Sequence, residues 1–525
     1  MHACASEWNR WRGRKLKRDK GRGKPPSQEG NQMEKTMEAA AAPQEGASFK
    51  VVPIMTALLL AGFIGMFSET ALNIALNELM STFNVEPATI QWLTTGFLLV
   101  LAILVPISGL LLQWFTTRQL FTASLVFSIA GTLIAASAPS FAFLFIARLV
   151  QAVGTGLLIP LMFNTVLVIF PPQKRGAAMG MMGLVIMFAP AVGPAIAGLF
   201  LEYASWRTIF WTALPLLVVA LLFGLMFMKN VSELARPRID IYSIALSSFG
   251  FGGVVYGFSS AGEGDHGWSS PKVIIGIAVG IVALILFTVR QLRMKQPMMN
   301  LRAFRFPMFT LGTLMIFIGM MIILSTVILL PLYLQAGIGL LPLAAGLLLL
   351  PGGLINGVMS PIMGRLFDKY GPRWLVLPGL VLVFVVLWLL TGINTGTSKG
   401  EIILLHSLLM IGISMIMMPA QTNGLNQLPR ELYPDGTAIM NTLQQVAGAI
   451  GTALAISIMT AGSKAYYADG KHSPADLSTV PAAMTQGVQN AFLFVMIFAV
   501  LGFVCALFIK RVKVEKQEQV HHAGH

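Results

Sequence analysis

Long apolar runs separated by short polar turns fill most of this chain. A helix needs about 20 mostly apolar residues to cross the hydrocarbon core of a membrane. Fourteen such runs lie near residues 51–77, 89–112, 119–138, 141–169, 177–200, 207–228, 241–260, 272–289, 309–334, 342–364, 374–392, 401–424, 437–461 and 488–509. The turns between them hold charges or helix breakers, such as Pro171-Pro172 and Gly371-Pro372. The pattern therefore predicts an all-α polytopic membrane protein with 14 transmembrane helices.

Composition excludes the other broad classes of protein. Of 525 residues, 55% are apolar and only 11% are charged, whereas soluble domains carry about 25% charged residues. A chain of this size with so few charges cannot cover several soluble domains with polar surface, so the soluble, fibrous and disordered classes are excluded. The two cysteines, Cys4 and Cys505, are too few for a disulfide framework.

The positions of the basic residues predict the topology. The chain carries 36 Lys and Arg against 22 Asp and Glu, and cytoplasmic segments of membrane proteins are enriched in Lys and Arg. With a cytoplasmic N-terminus, 30 basic residues fall in inner segments, five in outer segments, and Arg148 within a span. Both termini are therefore predicted to be cytoplasmic. No basic surface alternates with aromatic residues, so the predicted partner is the lipid bilayer and not nucleic acid.

Both terminal segments are predicted to be cytoplasmic tails, and the first is predicted to have no role in transport chemistry. Residues 1–50 contain a basic cluster but no apolar signal-peptide core, and residues 511–525 form the second tail. Gln28-Glu29-Gly30 can be encoded by a ribosome-binding sequence shortly before Met33. We therefore hypothesise that translation starts at Met33 and that residues 1–32 are not native; a native disordered tail is the alternative.

The chain lacks the motifs of ATP-driven or metal-dependent proteins. The nearest approach to a phosphate-binding loop, Gly470-Lys471-His472, lacks the required hydroxyl residue, and no H-E-x-x-H pair occurs. The histidines are scattered, which disfavours the alternative of a membrane enzyme. These observations predict a secondary transporter without a metal or cofactor, driven by an ion gradient.

A repeated motif divides the predicted spans into blocks. Gly109–Arg118 and Gly364–Arg373 are a degraded and a nearly complete copy of G-x-L-x-D-(R/K)-x-G-x-(R/K). Each follows the second span of a block of six, as expected for a transporter built from internal repeats. We predict an N-terminal six-helix bundle at 51–228, two inserted helices at 229–305 and a C-terminal six-helix bundle at 306–510.

Further motifs resemble those of one transporter family. They are Leu144-x-x-x-Arg148-x-x-Gln151-x-x-Gly154-x-Gly156 in the fourth span, Pro190-x-x-Gly193-Pro194-x-x-Ala197-Gly198 in the fifth, and Gly436-Thr-Ala-x-x-Asn441-Thr-x-Gln444-Gln445 in the thirteenth. Together with the loop motifs they resemble the major facilitator superfamily, in its 14-span drug:proton antiporter group. The Ser68–Asn73 and Gln421–Pro429 runs resemble the lincomycin-resistance-type permeases of Gram-positive bacteria.

The resemblance implies a fold and a function. The implied fold is two six-helix bundles plus two inserted helices. The implied function is proton-coupled export of amphipathic drugs or toxic compounds across the bacterial cytoplasmic membrane by alternating access, in a monomer without an obligate partner protein. The same mechanism devoted to an endogenous lipid, peptide or metabolite is the alternative.

Two ionisable residues inside spans are the candidates for proton coupling. Glu69 lies well inside the first span and Arg148 lies inside the fourth. An ionisable residue inside a membrane costs several kcal/mol, so its presence there indicates a function. Their distances from the predicted outer helix ends are similar, at about 13 Å and 10 Å. The alternatives are a neutral buried acid for Glu69 and a purely structural contact of Arg148 with backbone carbonyls.

The remaining candidate residues fall into two groups. Predicted substrate-cavity residues are Asn73, Gln151, Thr155, Asn356, Asn423, Asn441, Gln444 and Gln445, for each of which helix–helix contact is the alternative. Predicted gating residues are Gly109, Arg118, Gly193, Pro194, Gly364, Asp368, Gly371 and Arg373. The resemblance implies that Asp368, with Arg373, holds its loop against a helix N-terminus. The first copy has Gln113 in place of this acid, so its contact is expected to be weaker.

Overall fold

The computed structural model describes residues 51–85, 87–231, 234, 239–261, 267–468 and 476–512. The predicted tail at 1–50, with the hypothesis on residues 1–32, lies outside these residues. So does the second tail from residue 513 onwards.

Within the described residues, fourteen helices are long and apolar enough to cross a membrane, which confirms the predicted multi-pass protein. The helices are α1 (Val51–Phe83), α2 (Trp92–Trp114), α3 (Thr117–Ala136), α4 (Phe141–Ile169), α5 (Arg175–Tyr203), α6 (Arg207–Phe227), α7 (Ile241–Ala261), α8 (Pro271–Arg293), α9 (Pro307–Leu332), α10 (Pro342–Tyr370), α11 (Arg373–Leu390), α12 (Lys399–Asn426), α13 (Tyr433–Ala468) and α14 (Val480–Ala506).

Several helices extend beyond the apolar run that predicted them. α1 continues to Phe83 and α14 begins at Val480, about two turns from the predicted ends at 77 and 488. In the first turns of α14 the Thr485 hydroxyl donates to the Pro481 carbonyl oxygen of its own helix. Ala483, Thr485 and Gly487 are buried there. Small and polar residues can thus belong to a span when their side chains face a neighbouring helix.

The first six and the last six helices each pack mainly among themselves. We call α1–α6 the first half and α9–α14 the second half. In the first half α4 packs against α2 and α3, while α1 packs against α5 and α6. In the second half α12 packs against α9, α10 and α11, while α13 packs against α9 and α14. The inserted helices α7 and α8 form a hairpin, of which α7 contacts both α2 and α13.

The halves meet mainly along two helix pairs, which we call the α5–α10 seam and the α2–α13 seam, with smaller contacts between α4 and α13 and between α5 and α12. Glycines line the first seam. A Cβ atom added to Gly364 would overlap the Gly176 carbonyl oxygen, and one added to Gly180 would lie 2.5 Å from the Ser360 carbonyl oxygen. Further along, a Cβ added to Gly357 would lie 3.0 Å from the Phe188 Cβ. The two backbones are therefore in near contact over much of their length.

Candidate functional site

A cavity of about 370 Å³ lies beside the α2–α13 seam. Its walls come from α1, α2, α7, α9 and α13. The lining residues are Leu76, Gln91, Thr94, Thr95, Leu98, Val255, Phe258, Ser259, Leu324, Ile328, Gln445, Gly448, Ala449, Thr452, Ala453 and Ile456. Because both halves contribute, a movement of one half against the other would change the shape of this cavity.

The cavity is mostly apolar and its lining holds no charged side chain. Its hydrogen-bonding side chains are neutral amides and hydroxyls, including Gln91, Ser259, Gln445 and Thr452. Such a surface suits a molecule with both apolar and uncharged polar groups, since ligand pockets combine apolar walls with a few polar positions.

The cavity lies toward one end of the helix bundle. Gln91 and Thr94 mark the beginning of α2, and Ser259 lies in the last turn of α7. This end is opposite the basic loops, which form the end predicted to face the cytoplasm. At the predicted cytoplasmic end, the two helices of the seam meet: a Cβ added to Gly109 would lie 3.1 Å from the Ala438 Cβ.

Glu69 lies in α1 on the same helical face as the cavity-lining Leu76, two turns away. Its Oε2 atom is buried and has no hydrogen-bond partner. A buried carboxylate oxygen without a partner is costly when it is charged. Glu69 is therefore an unsatisfied acidic group on the helix face that reaches the cavity two turns later, at Leu76.

Arg148 in α4 is 1% exposed and binds the main chain of α1. Its Nη1 donates to the Ser68 carbonyl oxygen over 2.9 Å, and its Nη2 donates to that of Glu69 over 3.4 Å. Nη1 also donates to Gln151 Oε1 over 3.0 Å, and the guanidinium lies 4.3 Å from the centre of the Phe97 ring. The structure thus brings Arg148 directly against the segment that carries Glu69.

The two candidate coupling residues are neighbours without forming a direct ion pair. Among the described residues, the Arg290–Asp240 pair is the one in which a basic nitrogen lies within 4.0 Å of an acidic oxygen. The Arg148 guanidinium is therefore more than 4.0 Å from the Glu69 carboxylate and makes its contacts with main-chain oxygens. The energetic coupling of the two side chains stays a prediction.

Gln151 and Thr155 line a second, much smaller cavity of about 10 Å³ within the first half. This volume is close to the smallest that holds one water molecule. Gln151 Nε2 donates to Thr132 Oγ1 over 2.9 Å, which continues the hydrogen-bond chain from Arg148 into α3. These two residues therefore belong to the polar network around Arg148, away from the large cavity.

Of the predicted cavity residues, Gln445 lines the large cavity. Asn423 instead donates to the Lys510 carbonyl oxygen and accepts from the Val512 N–H, at the predicted cytoplasmic end. Asn441 donates to the Thr437 carbonyl oxygen one turn earlier in α13, and Asn356 Nδ2 lies 3.5 Å from the Met410 sulfur. A polar residue on the inward face of a helix can serve helix packing as well as a cavity, and sequence position does not separate the two.

The remaining predicted cavity residues, and the neighbouring gating pair Gly193 and Pro194, do not line the large cavity in the described part of the structure. Gln444 is half-buried in α13 and is not among the residues that line the cavity. The side chains of Asn73 and Pro194 lie outside the described residues. Gly193, beside Pro194, packs against α1: a Cβ added there would lie 2.6 Å from Thr70 Oγ1.

Asp368 joins the second half to the first at the predicted cytoplasmic end. Its carboxylate oxygens accept hydrogen bonds from the Gly176 and Ala177 main-chain N–H groups, each over 2.9 Å. These donors belong to the first turn of α5, where the helix dipole favours a negative charge. The contact is therefore the helix N-terminus interaction that the motif implied.

Arg373 is exposed at the start of α11 and lies more than 4.0 Å from the Asp368 carboxylate, so it is not an ion-pair partner.

The end of α10 is fixed by a second group of contacts. Gly371 follows the helix with a φ of 83°, a backbone conformation that favours glycine. Arg511, beyond α14, donates from Nη2 to the Asp368 carbonyl oxygen over 2.7 Å and from Nη1 to that of Lys369. A basic side chain at a helix C-terminus satisfies carbonyls that the helix leaves unpaired.

The first copy of the motif makes different contacts. Gln113 donates to the Gly109 carbonyl oxygen of its own helix over 3.2 Å, in place of a contact with the other half. Arg118 donates to the Leu225 carbonyl oxygen at the end of α6 over 2.9 Å. This copy therefore stabilises the first half internally, while Gly109 itself allows α2 to approach α13.

Arg175 is a second link between the halves that sequence reasoning missed. It is 3% exposed, and its Nη1 donates to Asn426 Oδ1 and to the Tyr433 hydroxyl, each over 3.0 Å. Its other nitrogens donate to the Leu167 and Phe170 carbonyl oxygens. From the sequence, Arg175 is one of the basic residues of a predicted cytoplasmic loop. The neighbouring residues do not indicate whether its side chain is buried between helices or exposed to solvent.

Among the described residues, no three His, Cys, Asp or Glu side chains come close enough to hold a metal ion. The large cavity is lined by neutral polar and apolar groups, and the unsatisfied Glu69 and the buried Arg148 lie outside its lining, within the first half. The cavity lining offers uncharged hydrogen-bonding groups, and Glu69 carries the buried acidic group.

Comparison with known proteins identifies the family. The sequence model of the Major Facilitator Superfamily matches residues 58–452. The lincomycin resistance protein LmrB of Bacillus subtilis (strain 168) is 68% identical over 467 residues, covering 89% of this chain and 97% of that protein. LmrB of Listeria monocytogenes serovar 1/2a is 62% identical over 468 residues, covering 89% and 98%. The crystal structure of the human organic anion transporter MFSD10 has a TM-score of 0.61 at 15% identity, covering 86% of this chain and 99% of that one. The predicted fold and resemblance are confirmed, and the chain belongs to the Major Facilitator Superfamily.

Proposed function

We propose that this transporter is a proton-coupled antiporter that exports amphipathic drugs, lincomycin among them, across the bacterial cytoplasmic membrane. The observation that carries the proposal is a cavity between the halves that lies toward one end of the bundle, while the halves are joined at the other end. Asp368 and Arg175 join the halves at the predicted cytoplasmic end, while the cavity lies toward the other end. This arrangement suits one of the two states that alternating access requires, with both termini in the cytoplasm.

Relatives support the class of substrate. Two relatives that match over almost their whole length are lincomycin resistance proteins, and the family assignment points to a transporter of small molecules and not to an enzyme. The neutral, mostly apolar cavity lining favours amphipathic molecules. We propose that the protein works as a monomer, with the proton gradient as its energy source and without a cofactor.

The proton site in this proposal is Glu69. Its buried Oε2 lacks a hydrogen-bond partner, and a charge in such a site inside a membrane is costly. Arg148 holds the main chain of the same segment through the Ser68 and Glu69 carbonyl oxygens. A movement of α4 against α1 would therefore change the distance between a fixed positive charge and the carboxyl group, which links protonation to conformation.

The test is Glu69→Gln in purified protein reconstituted into vesicles with a pH gradient. Glutamine keeps the size and hydrogen-bonding capacity of the side chain and removes its titratable proton, so we expect proton-driven efflux of lincomycin to be abolished. Glu202→Gln, which changes an exposed carboxylate near the end of α5, is the matched control and should transport normally. Wild-type efflux by the Glu69→Gln protein would refute the assignment of the proton site.

A separate measurement tests the substrate class. Deletion of the gene from its own host, followed by a susceptibility panel, should lower resistance to lincomycin and to other amphipathic drugs. Unchanged susceptibility to every drug, together with accumulation of a cellular lipid, peptide or metabolite, would favour an endogenous substrate.

A further inference from the structure

Each face of the inserted helix α7 has a different neighbour. Gly253 and Gly257 face α8: a Cβ added to Gly253 would lie 2.9 Å from the Gly276 carbonyl oxygen. Gly252 faces α2, where a Cβ would lie 3.4 Å from side-chain atoms of Leu99 and Ile103. Phe249 is 65% exposed on the outside of the bundle. One face remains, and it lines the large cavity.

That face consists of Val255, Phe258 and Ser259. Their spacing of three and four residues places them on one side of a helix. Gln445 and Thr452 of α13 and Thr94 of α2 line the same cavity. Among the described residues that line the cavity, none belongs to α8, so the two inserted helices have different surroundings.

Aromatic contacts fix the cavity end of α7 to both halves. The Tyr256 ring stacks on that of Trp92 at the start of α2, with centroids 6.0 Å apart. Trp268, after the end of α7, donates from its indole nitrogen to the Ser457 hydroxyl of α13. The Trp268 ring also meets the edge of Phe258 at 5.5 Å between centroids. The helix therefore spans the gap between α2 and α13 at the height of the cavity.

We propose that α7 is a substrate-contacting wall of the transport cavity, in which Phe258 and Ser259 select among amphipathic molecules. Phe258 offers an aromatic surface to an apolar segment of the ligand. Ser259, with Gln445 of α13 in the same cavity, offers uncharged hydrogen-bonding groups to the hydroxyl or amide groups of the ligand. The insertion thus contributes to substrate choice in addition to the contacts made by the two six-helix halves. The proposal rests on the proposed function.

Cysteine labelling tests whether α7 lines the occupied site. In a background with Cys4→Ser and Cys505→Ala, single Ser259→Cys, Gln445→Cys and Phe249→Cys variants are treated in membranes with a small, charged methanethiosulfonate reagent. We expect labelling at positions 259 and 445, which line the cavity. We expect little labelling at position 249, which is exposed on the outer surface of the helix bundle, where lipid excludes a charged reagent. Saturating lincomycin should slow labelling at 259 and 445 together.

The outcomes separate this inference from the proposed function. Protection by lincomycin at 445 but not at 259 would overturn the role of α7 and leave the proposed substrate intact. Absence of protection at both positions would overturn the proposed substrate and this inference with it. Protection at both positions, with none at 249, supports both.

A second measurement addresses selection. Phe258→Ala should change the ratio of resistance to lincomycin and to the smaller, uncharged chloramphenicol by about three- to tenfold, because it removes an aromatic contact that different ligands use to different degrees. Phe249→Ala removes the same side chain from the exposed face of the same helix and should leave the ratio unchanged. Equal ratios in wild type and Phe258→Ala would overturn selection by this residue.

Discussion

The two seams between the halves differ in how closely their helices approach. Along the α5–α10 seam, glycines face the opposite backbone at Gly176, Gly180 and Gly364. Along the α2–α13 seam, close approach occurs at Gly109, and further along the helices separate around the cavity. Small residues allow backbones to touch and interlock. We infer that the first seam acts as a continuous pivot, while the second opens and closes at one end.

The two copies of the loop motif show a matching difference. The second copy places Asp368 on the N-terminus of α5 in the other half. The first copy has Gln113, which binds its own helix. In this conformation the second copy joins the two halves and the first copy does not, although both follow one sequence pattern. We therefore expect closure of the predicted cytoplasmic end to depend more on the second copy.

The largest effect is expected at the pivot. Gly364→Ala would place a Cβ atom on the Gly176 carbonyl oxygen, and a backbone atom cannot move aside as a flexible side chain can. We expect a loss of more than about 2 kcal/mol in the free energy of unfolding and loss of transport. Thermal unfolding in detergent and efflux from vesicles measure the two effects.

Gly346→Ala provides the matched control on the same helix. A Cβ added at Gly346 meets no atom within 4 Å, so the substitution should stabilise the helix by about 0.5–1 kcal/mol and leave transport unchanged. If Gly364→Ala and Gly346→Ala behaved alike, the α5–α10 seam would not be a tight pivot.

The next largest loss of efflux rate is expected at the second copy of the motif, and the first copy provides the comparison. Asp368→Asn leaves one acceptor oxygen for two N–H groups and removes the charge that the α5 N-terminus favours. We expect the cytoplasm-closed state to lose about 1.5 kcal/mol, roughly tenfold in its population ratio, and efflux to slow accordingly. Gln113→Ala removes a contact within α2 and should change the initial efflux rate little. Equal losses in the two variants would contradict the unequal role of the copies.

A smaller effect is expected from the basic residues around the second copy. Arg511→Ala removes two hydrogen bonds to carbonyl oxygens in the last turn of α10, in an exposed position. We expect a two- to fivefold slower efflux, corresponding to about 0.5–1 kcal/mol. Arg373→Ala changes an exposed arginine and should transport normally. A larger loss of efflux rate in Arg373→Ala than in Arg511→Ala would indicate that Arg373, and not Arg511, supports Asp368.

The sequence predicts the helices well because hydropathy is a local property. It locates all fourteen spans of the described residues, and its errors fall at helix ends. At the end of α1 the exposed Ser81 and Thr82 donate to the Glu78 carbonyl oxygen of their own helix, and at the start of α14 small and polar residues are buried. It also identifies Asp368, since the motif specifies an acid at a loop. Arg175 and the cavity face of α7 could not be predicted, because their partners Tyr433 and Gln445 lie far away along the chain.

The smallest effect is expected at the Asp240–Arg290 pair, which joins the start of α7 to the end of α8. Arg290 donates from Nε and Nη2 to the two Asp240 oxygens over 2.8 and 3.0 Å, and its hydrogen bonds lower the pKa of Asp240 from 3.8 to about 2. The pair therefore stabilises the folded protein above about pH 4 and loses its contribution as the pH falls toward 2. Because Arg290 is 40% exposed, Asp240→Asn should cost less than about 1 kcal/mol, equally at pH 5.5 and pH 8. Thermal unfolding at both values measures this, with Glu202→Gln as the exposed control. If the stability cost differed between the two pH values, a group other than Asp240 would have to change its protonation on unfolding of the α7–α8 hairpin. A large loss of transport would show that transport depends on this ion pair as strongly as on the two seams.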